Sequence, residues 1–225
     1  NIENNLLFGY GPANEVRRKL ITLWNVYSFF ATYAAIDGFS PNRSNVKNDD
    51  LTILDQWILA KSNLLIQQAV TAFDGYRVDK FIHHFERFLD DLSNWYIRRS
   101  RRRFWKSEDD ADKQAAYQTL YQVLLLSIKV IAPILPFMTE EIYQNLARNT
   151  DQSLPDSIHL SDYPKVDKQK INLKLIQQVD TLRKIVELGR SARNKAELKI
   201  RQPLAELCFH LDDDELVEFI LDQQL

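Results

Sequence analysis

Five glycines and seven prolines are all that punctuate these 225 residues, and most fall between stretches whose apolar side chains recur every three or four positions. That spacing suits long helices and leaves little of the turn chemistry a sheet needs. An all-α helical bundle is therefore expected. The first helix follows Gly11-Pro12, with Pro12 near its first turn and Val16, Leu20, Leu23, Tyr27 and Phe30 along one side, and should stop near Gly38. A polar stretch over residues 40 to 50 ends in Asp49-Asp50, either of which can cap a second helix buried through Leu54, Ile58, Leu65, Ala69 and Phe73 and ended by Gly75.

A third helix is expected from about Val78 to Lys106. Its stripe runs through Phe81, Phe85, Phe88, Leu92 and Trp95 and turns cationic at Arg99, Arg102 and Lys106. Trp95 continues the phenylalanine stripe and reads as a core anchor. After an acidic turn over residues 107 to 112 come Tyr117, Leu120, Leu124, Ile128 and Ile131, until Pro133 and Pro136 interrupt. A shorter helix restarts there with Glu140 and Glu141 in its first turn and Ile142 and Leu146 facing inward. Residues 149 to 166 read as a traversing loop, and a last long helix begins near Asp167 with Leu175, Val179, Leu182 and Val186 inside.

Past Lys195 helical periodicity gives way to alternation, with Leu207, Phe209 and Leu211 on one face of an expected strand after Pro203 and an acidic amphipathic segment over residues 212 to 225. The expected organisation is a helical domain over residues 1 to 195 and the start of a small, incomplete α+β unit over residues 196 to 225.

Charge narrows the function. Lysine and arginine number 29 against 31 acidic residues, a formal net charge of −2, so any basic character is local. It concentrates at Arg98, Arg99, Arg101, Arg102 and Arg103, followed by Trp105 and Lys106. Arginines this dense repel one another unless an anion lies nearby, and a polyphosphate backbone is the obvious one. A second cluster includes Arg183, Lys184, Arg190, Arg193, Lys195, Lys199 and Arg201. Alone, that cluster reads equally well as cations favoured at a helix C-terminus.

Other groups carry less. His83 and His84 diverge by about 100° on a helix, so they are not the i, i+4 pair a metal needs. Cys208, the only cysteine, allows neither an intrachain disulfide nor a cysteine-rich zinc site, and in the expected strand it reads as a buried thiol. Asp90-Asp91, Asp109-Asp110 and Glu140-Glu141 read as solvated faces and helix starts, and the aromatic stripes over residues 23 to 30 and 81 to 95 as packing. No glycine-rich phosphate loop, His-Glu-x-x-His or nucleophile elbow occurs. No apolar run approaches the roughly 20 residues that cross a bilayer, and the first residues lack a signal-peptide pattern, so a soluble, cytoplasmic protein is expected.

The segment from Ser93 through Trp105, Ser-Asn-Trp-Tyr-Ile-Arg-Arg-Ser-Arg-Arg-Arg-Phe-Trp, closely resembles one in the anticodon-binding region of isoleucyl-tRNA synthetase. The resemblance extends to Leu-Trp-Asn-Val-Tyr-Ser-Phe-Phe at residues 23 to 30, Leu54-Asp55-Gln56-Trp57-Ile58-Leu59, Ala-Pro-Ile-Leu-Pro-Phe-Met-Thr-Glu-Glu-Ile-Tyr at 132 to 143 and Gly-Arg-Ser-Ala-Arg-Asn-Lys at 189 to 195. Leu-Asp-x-Trp and the Pro-Phe-Met-Thr-Glu-Glu stretch recur in the related valine and leucine enzymes; the arginine-rich block is the discriminating piece. It looks like the branch of isoleucine enzymes that includes the eukaryotic type, rather than the bacterial branch with a C-terminal cysteine zinc site.

The resemblance implies a domain that binds the anticodon arm of the isoleucine tRNA while a separate domain works on the acceptor end. Neither His-Ile-Gly-His nor Lys-Met-Ser-Lys-Ser is present, so no catalytic residue, cofactor or metal is expected within this stretch. ATP and magnesium would serve the parent enzyme, whose catalytic and editing domains would be further partners. No DNA and no membrane are implied. Arg98, Arg99, Arg101, Arg102, Arg103 and Lys106 would meet phosphates, Trp105 would stack on a loop base, and Arg190, Arg193 and Lys195 would form a second contact region. A valine-type domain, which should lack the arginine block, and a helical protein-interaction scaffold are the alternatives.

Overall fold

The computed structural model describes residues 9–41, 50–105 and 111–222. Asp49, Lys106 and most of the expected acidic turn lie outside these residues. Within them the regular structure is entirely helical. Two compact units form, Asn1–Ile171 and Asn172–Leu225. The expected boundary at residues 195 and 196 coincides with the end of the last long helix, whereas by packing that helix groups with the chain that follows it.

The first unit begins with α1 (Tyr10–Asp37), which stops where Gly38 adopts a left-handed φ of 61°. Gly38 and Phe39 donate their N–H groups to the carbonyls of Ala35 and Ala34, closing the last turn. The buried face of α1 is Leu23, Val26, Phe30 and Ala34. Val16 is exposed, Leu20 and Tyr27 only partly covered, so the expected stripe holds over the second half of the helix alone.

α2 (Ile53–Asp74) is capped by Thr52, not by Asp49 or Asp50. The Thr52 hydroxyl accepts from the Asp55 N–H at 3.2 Å, and the Asp55 carboxylate accepts from the Thr52 N–H at 2.9 Å. This reciprocal capping box satisfies two helix-end donors at once, a stronger arrangement than a lone aspartate upstream. Gly75 follows α2, as expected.

The arginine-bearing segment is helical throughout but not uniform: α3 (Val78–Asp90) passes through a π-helical stretch, Asp91–Ile97, into α4 (Arg98–Trp105). The reason lies in the spacing of buried residues. Phe88, Leu92, Tyr96, Ser100 and Phe104 are all buried. On a regular α-helix, residues four apart drift about 40° per step, so five in succession would wind off the core face. The wider π turn absorbs that drift. Lys61 on α2 anchors the stretch through Asp91 at 2.8 Å.

α5 (Ala111–Ile131) buries Tyr117, Leu120, Leu124, Ile128 and Ile131, the full expected set, against α1 and α2. Full burial of each aliphatic side chain contributes about 1.5–3 kcal/mol. α6 (Pro136–Tyr143) starts with Pro136 in its first turn, and Glu140 lies one turn further on than expected. Its carboxylate accepts from Gln144, Ser157 and the Ile158 N–H, tying α6 to the following loop. These hydrogen bonds outweigh partial desolvation and hold the Glu140 carboxyl below its ordinary value.

In the second unit, α7 (Leu173–Lys195) starts six residues later than expected, capped by Asn172, whose side-chain oxygen accepts from the Leu175 N–H at 3.0 Å. Ile185, rather than Val186, faces in. α8 (Asp214–Asp222) lays Leu216 and Ile220 against Leu182 and Ile185 of α7. The expected strand does not form: residues 204 to 211 have no regular structure, and Leu207 and Cys208 are exposed. No second strand lies among the described residues to satisfy its backbone, and a lone strand is not stable.

Candidate nucleic-acid interface

One end of the first unit gathers the C-terminus of α1, the N-terminus of α2, all of α4 and the first turn of α5. The buried centre of this end is Asp55, with no exposed surface. Its two oxygens accept four hydrogen bonds: Thr52 N–H at 2.9 Å and Thr52 hydroxyl at 2.7 Å on one, Tyr96 hydroxyl at 2.7 Å and Arg103 Nη1 at 2.9 Å on the other. Arg103 also donates from Nε to the Asp112 carboxylate at 2.8 Å and from Nη2 to the Asp112 carbonyl at 3.0 Å.

Burial, then the charge and hydrogen bond of Asp55, push the Tyr96 hydroxyl well above the ordinary tyrosine value, so it stays a donor. Burial works against the Arg103 charge, but Asp55 more than offsets it and the guanidinium is held above the usual arginine value. Removing one partner of a buried pair costs about 3–5 kcal/mol, against about 0–1 kcal/mol for an exposed pair. Arg103 is therefore firmly committed to the protein interior, its side chain 12% exposed.

The neighbouring arginines stand differently. Arg98, Arg99, Arg101 and Arg102 are exposed on α4. Arg99 lies over the Trp95 ring, 4.8 Å from its centroid. Arg101 lies between two rings, 5.4 Å from Trp105 and 5.6 Å from Phe29. Trp105 is 53% exposed and tilted against Tyr33 at 6.4 Å, while Phe29 meets Tyr33 at 4.9 Å and Phe104 at 5.2 Å edge-on. Phe104 is buried and anchors the inner side of α4.

The result is a half-exposed aromatic and guanidinium surface joining α1 to α4. Phe29 and Tyr33 lie one position away from the buried α1 set of Val26, Phe30 and Ala34, an offset visible at helical spacing. The aromatic run over residues 23 to 30 is therefore packing only in part, with Phe30 buried and Phe29 partly covered.

In the second unit Arg190 and Lys195 are exposed, and Arg193 is partly covered. Arg193 Nη1 donates to the carbonyls of Lys199, Ile200 and Gln202, at 2.7 Å for the last, and so braces the turn after α7. Arg103 and Arg193 thus share an arrangement, each bonded to backbone carbonyls of its own unit, and in the second cluster Arg183 also pairs with Asp180. Among the described residues no group of three metal-ligating side chains comes together, and no helix is long and apolar enough to cross a membrane.

Residues 55–208 match the family model described as the anticodon-binding domain of tRNA ligase. The chain belongs to this family. Within the matched range lie the four outward arginines of α4, Trp105, and Arg190, Arg193 and Lys195 of α7, with Asp55 at its first residue. The chain is similar to the isoleucine–tRNA ligase of Dehalococcoides mccartyi strain CBDB1, 48% identical over 191 residues covering 85% of this chain. It is similar also to those of Clostridium novyi strain NT and Clostridium tetani strain Massachusetts, each 46% identical over 204 residues and 89% of this chain. It spans 19% of the length of each of these relatives.

Proposed function

We propose that this chain is the anticodon-arm-binding part of an isoleucine–tRNA ligase, of the branch that includes the eukaryotic type, and that its ligand is the isoleucine tRNA. The observation that carries the reading is the outward row of Arg98, Arg99, Arg101 and Arg102 beside the half-exposed ring of Trp105 and the partly covered rings of Phe29 and Tyr33. Guanidinium groups meet phosphates, while exposed rings offer a face on which an unstacked loop base can lie. The aromatic rings add no charge, so the salt-dependent part of the affinity and the base stacking are supplied by different side chains.

Arg190 and Lys195 contribute a second contact region, and Lys106 extends the first. Arg193 reaches that region through the turn it braces. The parent enzyme joins isoleucine to tRNA in the cytoplasm, using ATP and magnesium in its catalytic domain, with an editing domain in the same chain. No step of that reaction is assigned to residues of this stretch.

Fluorescence titration of isoleucine tRNA at several salt concentrations tests the proposal. Each phosphate contact contributes about 0.7–0.9 to the slope of log affinity against log salt, so replacing Arg98, Arg99, Arg101 and Arg102 together by glutamine should flatten it by roughly 3. Isoleucine tRNA should also outcompete valine tRNA. An unchanged slope and affinity in the fourfold variant would overturn the proposal.

A further inference from the structure

We infer that Arg103 is a positioning residue, clamped by Asp55 so that α4 turns its other four arginines outward, and that it makes no phosphate contact of its own. The inference rests on the tRNA-binding reading above. In sequence nothing separates Arg103 from Arg98, Arg99, Arg101 and Arg102. In the structure its guanidinium is engaged along three edges, by Asp55, the Asp112 carboxylate and the Asp112 carbonyl.

Asp55 has no exposed surface, and Arg103 is the cation whose guanidinium reaches it. Swinging Arg103 toward an external phosphate would leave that carboxylate buried without its counter-charge, which is far costlier than one solvent-facing contact is favourable. The clamp also joins four segments at this end: Thr52 and Asp55 at the start of α2, Tyr96 in the π-helical stretch, Arg103 on α4 and Asp112 on α5. α4 has only eight residues and follows a non-α turn, so local backbone geometry alone does not fix which side faces out. Phe104 supplies an apolar anchor, and Arg103 beside it supplies the polar one.

The test compares Asp55→Asn, Arg103→Lys, Arg103→Gln and the Asp55→Asn/Arg103→Gln double variant by isoleucine-tRNA titration over a salt series, at a temperature where circular dichroism shows each folded. Asp55→Asn removes a negative charge, so electrostatics alone predicts equal or tighter binding of a polyanion. The clamp predicts the opposite sign, a loss of about tenfold, comparable to one charged hydrogen bond. Arg103→Lys keeps the charge but not the planar fork, and should lose affinity as Arg103→Gln does. The double variant should lose no more than either single one, because both break one unit.

Binding by Asp55→Asn that is unchanged or tighter overturns the inference. If that variant does not fold, Arg103→Lys decides: parental affinity shows that Arg103 acts through charge and overturns it, whereas a tenfold loss supports the clamp. A fourfold variant at Arg98, Arg99, Arg101 and Arg102 that binds like the parent chain removes the tRNA reading and this inference together. Sensitivity there with normal Asp55→Asn and Arg103→Lys removes this inference alone.

Discussion

Lys113, only 4% exposed on α5, sets its ammonium 2.7 Å from the carboxylate of Asp37, the last residue of α1. A negative charge at a helix C-terminus opposes the helix dipole, and α1 has no basic residue in its own last turn. Lys113 and the Tyr117 hydroxyl, both from α5, supply the compensation.

This pairing predicts a pH-dependent stability. Partial desolvation raises the Asp37 pKa, but the hydrogen bonds from Lys113 and Tyr117 prevail and hold it below its ordinary value. A depressed carboxyl stabilises above its unfolded pKa of about 4 and loses that contribution as pH falls through the folded value. Burial, then Asp37, raises the Tyr117 pKa. Its contribution is present below the unfolded value of about 10 and is lost as pH rises toward the folded one. Asp37→Asn should cost about 1–3 kcal/mol at neutral pH and shrink the acid limb of the stability profile, measured by urea melts from pH 2.5 to 7. An unaltered acid limb would count against the assignment.

Trp95 and Arg102 should separate core from surface within one continuous helical segment. Trp95 is 7% exposed, so Trp95→Ala should destabilise by about 3–5 kcal/mol. Arg102→Ala should stay within about 0.5 kcal/mol. Equal effects in thermal or urea melts would mean that the buried side of this segment is not the one described.

Gly38 offers a purely conformational test. A Cβ placed there meets nothing within 4 Å, yet φ is 61°. Gly38→Ala should therefore cost about 1–2 kcal/mol through backbone strain alone, and Gly38→Asn less, since asparagine tolerates the left-handed region. Denaturant midpoints that move equally for the two would argue against a left-handed stop to α1.

Trp105→Ala should act on binding and not on folding. If its half-exposed ring carries a base, tRNA affinity should fall by roughly 1–3 kcal/mol while the salt slope stays put, because no charge is removed. A flattened slope with unchanged affinity for unstructured RNA would instead place Trp105 in support of Arg101.

Much of this was legible in the sequence. Leu124 and Ile128 announced α5 because side chains buried on one face must recur at helical spacing, and Gly38 and Gly75 marked real helix ends. The cationic patch was legible as charge. Its division was not: Arg102 and Arg103 are identical as letters, and what distinguishes them is contact with Asp112 and with Asp55, the latter nearly fifty residues away. Thr52 has a local signal of its own, Thr-x-x-Asp at residues 52 to 55, which lies closer to the helix than Asp49-Asp50. The strand at Leu207 and Phe209 failed for the opposite reason, since alternation describes a face but cannot supply the neighbour a strand requires.

The π-helical stretch gives this surface an uneven tolerance to change. Substituting one outward arginine removes one charge and leaves the rest where they were. Were Asp91–Ile97 to wind as an ordinary α-helix with no change of length, everything after it would rotate by about 100°. Arg102 would then be presented to Asp55, and the charged row would be dealt out to different sides. Seven residues with no arginine among them therefore decide what the five arginines mean, and losing the wide turn without losing a residue should be far less forgiving than any exchange of letters within the cationic run itself.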